Sequence, residues 1–201
     1  MKTSTAMRLV ALALLIVVIA APSYHIYHSN GDSFDFSNTE TKVVVSGSMD
    51  GKVRSEYDIP TIPLGSMVFI QKPVSDTFYE SLSVGDVLTF HYTDPVSKKD
   101  MVVTHRIIGV TYTGYDYKYV LAGDAIVDDP SNTSTQTVYS SSGDIVGKVV
   151  GVSEPLGSVA VFVSSVAGKA VLIGLFAAII AVIWAAPAVV RLLSKTEKRC
   201  E

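Results

Sequence analysis

Long apolar runs lie near both ends of the chain, and the stretch between them alternates between short apolar and polar segments. Residues 9–21 form an uninterrupted apolar run of 13 residues, and residues 170–190 hold 21 residues without a charge. The second run is long enough to cross a bilayer as a helix, whereas the first needs flanking residues to do so. The pattern predicts a membrane segment at each end and a folded domain between them.

The middle of the chain predicts a mainly β domain. Its apolar stretches are short, rich in Val, Ile, Thr and Tyr, and bounded by Gly, Pro, Asp and Asn, which is typical of strands and turns. The predicted strands lie at residues 42–45, within 62–70 and 84–92, and at 101–110 and 145–152. A tyrosine-rich hairpin at 111–120 follows the fourth of these, and its tyrosines are expected to pack across the strands.

The amino-terminal apolar run has two interpretations. Its length, with small residues at positions 20–21, suits the core of a cleaved signal peptide. The helix can also extend over residues 6–26, with Tyr24 and Tyr27 at the bilayer interface, as in a retained anchor. We favour the anchor.

Positive charges flank both apolar runs on the side of the chain termini. Lys2 and Arg8 precede the first run, and Arg191 and three further cations follow the second. Positively charged flanks stay in the cytoplasm, so both termini are predicted to be cytoplasmic and the central domain to be outside the membrane. The predicted divisions are an anchor at 1–28, an extracytoplasmic domain at 29–157, an interfacial segment and second span at 158–193, and a tail at 194–201.

Charge and cysteine content exclude several classes of function. Residues 23–157 carry 17 acidic and nine basic side chains, a formal charge of −8, which argues against nucleic acid as a partner. The single cysteine, Cys200, allows no intramolecular disulfide. His25 and His28 lack clustered carboxylates or thiolates, so we predict no metal site and no cofactor.

Two candidate nucleophilic serines follow the first predicted strand. Residues 43–45 are valines, and they lead into a turn of small residues that presents the hydroxyls of Ser46 and Ser48. A serine needs a base to remove its proton, and His105 in a later strand can do so near neutral pH. Lys98 and Lys99 lie in a polar loop, where a lysine stays protonated, so we reject them as the base.

Carboxylates that could orient a histidine follow the tyrosine-rich hairpin. Asp124 comes after a glycine at the end of an apolar strand, and Asp128 and Asp129 follow shortly afterwards. A carboxylate beside a catalytic histidine fixes its tautomer and stabilises the imidazolium.

The order of Ser48, His105 and Asp124, with their flanking residues, resembles type I signal peptidases of the archaeal and endoplasmic-reticulum branch, which use histidine as the base. The resemblance spans roughly residues 6–157 and includes the Gly-Asp block at 85–86 and the closing strand at 145–152. It implies a signal-peptidase-like β catalytic domain between two transmembrane helices. The site residues that it implies are Ser48 as nucleophile, His105 as base, Asp124 and Asp129 as acidic residues, with Asp128 as the alternative to Asp129, and Ser46 and Met49 at the oxyanion and substrate positions.

Two features depart from the family pattern. Gly51 stands where proline is usual, and several extra residues separate it from the next strand. The Gly-Ser-Met triplet also recurs at Ser66, but no β-branched run precedes it. We therefore interpret Ser66 as a residue that leads into a strand, and we favour Ser48 as the nucleophile.

The resemblance implies a membrane-bound serine endopeptidase that removes signal peptides from exported preproteins. Substrates would present small side chains before the cut and bind as an extended strand. The implied partners are preproteins, the lipid bilayer and the secretion machinery. One alternative is an inactive membrane-anchored β domain that binds partners. A self-cleaving Ser–Lys repressor-type protease is opposed by the two membrane segments and by the lack of a suitable lysine. A pilin-processing or aspartyl intramembrane protease needs aspartates within its membrane helices, and neither apolar run contains one.

Overall fold

The computed structural model describes residues 36–127, 134–179 and 181. The predicted anchor at 1–28, the tail at 194–201, Asp128 and Asp129 lie outside these residues.

The fold is mainly an antiparallel β sheet with a few helices. Seven strands form one sheet in the order β1-β2-β7-β3-β4-β5-β6. The strands are β1 Thr39–Val43, β2 Met67–Gln71, β3 Val87–Thr93, β4 Asp100–Tyr112, β5 Tyr117–Ala122, β6 Gln136–Tyr139 and β7 Ile145–Ser153. Strands β3 to β6 pair with their neighbours in sequence, whereas β7 lies between β2 and β3 and joins the two halves of the sheet.

The first strand begins earlier than the valine run predicts. We expected residues 42–45, but β1 is Thr39–Val43, and Val44 continues its backbone pairing only by single hydrogen bonds to Ser66 and Gly65. Because β1 is an edge strand with a partly exposed face, it accommodates polar residues that a central strand would not. The chain leaves the sheet immediately afterwards.

Three short elements were not predicted. Helices α1 Asp76–Ser81 and α2 Asp124–Val127 are too short to show helical periodicity, and β6 has only four residues. The second of these helices starts at a predicted site residue, so a position that we expected at a strand end lies in a helical first turn.

Two hydrophobic clusters pack on the sheet. The first contains Leu88, Phe90 and Ile107 with residues of β5 and β6, and the second contains Met49 and Ile62 with residues of β2 and β7. Successive side chains of a strand point to opposite faces, so the consecutive β3 residues Val87 and Leu88 reach different clusters.

Two helices follow β7 among the described residues. Helix α3 is Glu154–Ser164, and α4 is Val166–Ile179. Within the described part of the chain, no single helix has the length and hydropathy to cross a bilayer, although the consecutive helices α3 and α4 meet those criteria when taken as a pair. The sheet belongs to a compact unit spanning Asn30–Val161, and α4 belongs to a second unit.

Candidate active site

A single helical turn presents Ser48 at the end of the edge strand. Ser46 is extended, and Gly47–Met49 form a 3-10 turn that closes with a hydrogen bond from Asp50 N–H to the Gly47 carbonyl. Met49 is 1% exposed and packs in the second cluster, so it anchors the turn to the core. Ser48 is left half-exposed, with its Oγ 3.4 Å from the Ser46 Oγ.

His105 lies in the middle of β4, with its ring held from two sides. The residue is 5% exposed, it pairs with Leu88 of β3, and its ring meets the Phe90 ring edge-on at 6.4 Å between centroids. Its Nδ1 is 2.7 Å from Oε1 of Gln136 in β6. Burial lowers the pKa of His105 below its usual value, and the hydrogen bond to Gln136 and the charge of Asp124 oppose this shift. The ring is therefore neutral at pH 7, as a general base must be.

Gly123 is the point at which Ser48 and His105 come together. A Cβ built on Gly123 would lie 2.5 Å from the Ser48 carbonyl oxygen and 3.1 Å from His105 Nε2. The Ser48 carbonyl oxygen and His105 Nε2 therefore lie no farther apart than the sum of these two distances, about 5.6 Å. The missing side chain of Gly123 thus lets the Ser48 turn approach the Nε2 edge of the histidine.

Asp124 binds Arg106 rather than the histidine. Arg106 donates from Nε to Oδ1 at 2.8 Å and from Nη2 to Oδ2 at 2.6 Å, and both residues are at least 98% buried. The guanidinium also donates to the carbonyls of Gly85 and Ile59, so it ties two loops to the start of α2. Such a bidentate, fully hydrogen-bonded pair is a structural anchor, and its charge acts on His105 only from a distance.

Gly51 accounts for one departure from the family pattern. A Cβ at this position would lie 2.7 Å from the Asp124 carbonyl carbon and 2.8 Å from the Ala125 nitrogen. A residue with a side chain, proline included, does not fit there without a backbone shift. The Ser48 turn and α2 therefore pack together more closely than a side chain at position 51 would allow.

The rejected alternatives lie away from this arrangement or are inaccessible. Ser66 is fully buried directly before β2, and its hydroxyl has no hydrogen-bond partner among the described residues. A substrate cannot reach it without unfolding. Lys98 and Lys99 are exposed in the loop between β3 and β4, where nothing desolvates an amine.

The structure brings some of the predicted site residues together and separates others. Ser48 and His105 meet at Gly123, and Ser46 lies beside Ser48. Asp124 begins the adjacent helix and faces Arg106. Met49 lies in the core beneath the turn. Asp128 and Asp129 lie outside the described residues.

Sequence reasoning missed three residues of the site. Gln136 contacts His105 from two strands away, and nothing in a four-residue polar strand signals that contact. Arg106 had a detectable signal, because an arginine between apolar residues in a central strand needs a buried partner. Gly123 had a signal as well, because a glycine that follows an apolar strand indicates a close backbone approach.

Comparison with protein-family models gives no match, and comparison with curated proteins gives none either. Among the described residues, no group of three or more His, Cys, Asp or Glu side chains lies close enough to hold a metal ion. The chemistry proposed for the site rests on its geometry and on the motifs that resemble signal peptidases.

Proposed function

We propose that this protein is a membrane-bound serine endopeptidase that removes signal peptides from exported preproteins. Ser48 is the nucleophile and His105 the general base. The observation that carries the proposal is the approach of the Ser48 turn to His105 Nε2 over the bare backbone of Gly123. A half-exposed serine beside a buried, neutral histidine is the pairing that nucleophilic catalysis requires.

In the proposed acylation step, Ser48 Oγ attacks the carbonyl carbon of the scissile peptide bond while His105 Nε2 takes the hydroxyl proton. The carbonyl oxygen becomes an oxyanion, which the Ser48 backbone N–H and the Ser46 hydroxyl stabilise. The bond to the leaving nitrogen then breaks, and the imidazolium returns its proton to the new amine. Water hydrolyses the acyl-enzyme by the same route, with His105 accepting a proton from the water and returning it to Ser48 Oγ.

Asp124 and Asp129 have different roles in this proposal. Asp124 supports the site through Arg106, which holds α2 and the neighbouring loops in place. Asp129, or Asp128 as its alternative, is the second acidic residue that the family resemblance requires. Its contribution is proposed from the motif alone.

The membrane arrangement is part of the same proposal. The apolar runs at 9–21 and 170–190 would span the bilayer, with both termini in the cytoplasm and the β domain on the outer face. The Ser48 turn would follow the first span closely in sequence, near the place where an exported preprotein leaves the membrane. The fold is then a signal-peptidase-like β domain between two anchors.

Cleavage of a radiolabelled preprotein by membranes that contain the full chain tests the activity. We expect cleavage by the wild type and loss of at least 1,000-fold with Ser48→Ala or His105→Ala, since catalysis fails when either member of such a pair is removed. Ser66→Ala is the matched control, because it removes a serine hydroxyl from the same Gly-Ser-Met context. Normal cleavage by Ser48→Ala would refute the proposal. An inactive wild type that co-purifies with other proteins would favour the alternative of an inactive β domain that binds partners.

Labelling of cysteines in intact cells tests the membrane arrangement. Cys200 is the only cysteine and lies in the predicted cytoplasmic tail, so a maleimide that cannot cross membranes should react with it only after permeabilisation. Tyr115 is 98% exposed at the tip of the β4–β5 hairpin. The double variant Cys200→Ser, Tyr115→Cys should react in intact cells. Reaction of Cys200 from outside would contradict the proposed topology.

A further inference from the structure

Gln136 is the polar side chain in contact with the far side of the candidate base. Its Oε1 is 2.7 Å from His105 Nδ1, and it is carried by β6, two strands away from β4. Its backbone is fixed opposite Leu121, which is fully buried in the first cluster. The amide therefore approaches the imidazole from a defined position in the sheet.

We propose that Gln136 is a positioning residue for catalysis, and that this amide selects the tautomer in which His105 Nε2 can act as the base. An amide oxygen only accepts hydrogen bonds, so Nδ1 must carry the ring proton in this pairing. The lone pair then lies on Nε2, which is the nitrogen beside Gly123 and the Ser48 turn. This inference rests on the proposed function.

The same hydrogen bond persists through the reaction. When His105 takes the proton from Ser48, both ring nitrogens become donors, and Nδ1–H can remain on the Gln136 oxygen. The ring is 5% exposed and also packs against Phe90, so it cannot rotate freely to present Nδ1 instead. The amide thus holds the ring orientation in both protonation states.

The partner of His105 Nδ1 is a neutral amide, whereas in a Ser-His-Asp triad a carboxylate binds that nitrogen. The charged group that acts on His105 among the described residues is Asp124, which is itself neutralised by Arg106, while Phe90 and Gln136 carry no charge. A carboxylate in place of the amide would favour the imidazolium and raise its pKa.

The test compares Gln136→Ala, Gln136→Glu and the control Thr137→Ala in the full chain, with preprotein cleavage measured across pH. Thr137 is the next residue of the same edge strand and points to the opposite face. We expect Gln136→Ala to lower kcat by about 10- to 100-fold with little change in KM, which is the range seen when a partner that orients a ligating histidine is removed. Gln136→Glu should recover activity relative to Gln136→Ala and move the pH midpoint upward, and Thr137→Ala should match the wild type.

NMR titration of the histidine Cε1 signal gives a second readout that does not need activity. The His105 signal is assigned with His105→Gln, and its midpoint should rise in Gln136→Glu and stay unchanged in Thr137→Ala. A merely structural role for Gln136 would reduce the amount of folded protein without shifting this midpoint. An unshifted midpoint in Gln136→Glu overturns the inference whether or not the protein is a peptidase.

Asp129→Asn separates the two candidate partners of the ring. If Asp129→Asn lowers kcat and shifts the His105 midpoint while Gln136→Ala does neither, the carboxylate is the positioning residue and our inference is wrong. If Ser48→Ala cleaves normally, the proposed function fails, and the titration alone then decides whether Gln136 governs the histidine.

Discussion

The substitution Gly123→Ala tests whether the close approach of Ser48 and His105 is needed for activity. The added methyl group would lie 2.5 Å from the Ser48 carbonyl oxygen and 3.1 Å from His105 Nε2, whereas ordinary contacts of a Cβ begin at 3.4 Å. Relief of the shorter contact moves the Ser48 turn by roughly 1 Å, and a misplacement of that size can cost about 100-fold in rate. The expected result is therefore a fall in kcat/KM of about two orders of magnitude.

The same methyl group also strains the folded domain, so stability must be measured beside activity. Overpacking of a close contact destabilises a protein by about 1–3 kcal/mol, which leaves a domain of ordinary stability folded. The control is Gly109→Ala in β4, where the new Cβ would meet Val120 at 3.7 Å or more, an ordinary distance. It should retain both fold and activity.

Preprotein cleavage by the purified full chain in detergent, with circular dichroism melting of the same samples, gives both quantities. A folded Gly123→Ala protein with wild-type kcat/KM would show that the approach over Gly123 is not part of the active arrangement, and it would refute the reasoning that joins Ser48 to His105. Loss of activity in Gly109→Ala as well would mean that any new methyl group in this sheet disturbs the site.

Three further predictions concern the surroundings of the site. Asp124→Ala leaves the buried Arg106 without its carboxylate partner and should lower the free energy of unfolding by about 3–5 kcal/mol. The control Glu40→Gln removes a partly exposed ion pair and should lower it by less than about 1 kcal/mol. Equal losses in urea unfolding would contradict the structural role of Asp124. Because the pKa of His105 is lower in the folded state than its usual 6.5, the unfolded chain binds more protons. The part of the stability that depends on His105 should therefore be constant above about pH 6.5 and fall as the pH drops through that value, and His105→Gln should remove that part of the slope. Gly51→Pro, which introduces the residue usual in the resembling family, should lower rather than restore cleavage, because the ring would overlap the backbone of Asp124; unchanged cleavage would show that α2 can move aside.

The sequence predicted those structural features whose signals lie in neighbouring residues. The valine run before Ser48 and the strand around His105 are read from neighbouring residues, and both positions lie in or beside strands as expected. The order of pairing was not predictable in this way, because β7 joins β2 and β3 across more than fifty residues of chain. That pairing depends on which apolar faces fit together rather than on any one segment.

The partners of the ionisable groups were the least predictable part of the site. Asp124 was expected to serve the histidine, but the neighbouring residue Arg106 projects to the opposite face of β4 and captures the carboxylate. Gln136 takes the place beside Nδ1, although a lone polar residue in a short strand carries no motif. Hydrogen-bond partners of this kind are fixed by the register of three strands, which sequence spacing does not reveal.

The place of β7 in the sheet has a consequence for synthesis of the chain. Strands β3 to β6 can pair in order as they emerge, which brings His105 and Gln136 together early. Strands β1 and β2, which lie on either side of Ser48 in the sequence, pair with this half of the sheet only through β7, the last strand to be made. A nascent chain would thus complete the sheet only after β7 is made, and under the proposed function Ser48 would join His105 at that last stage.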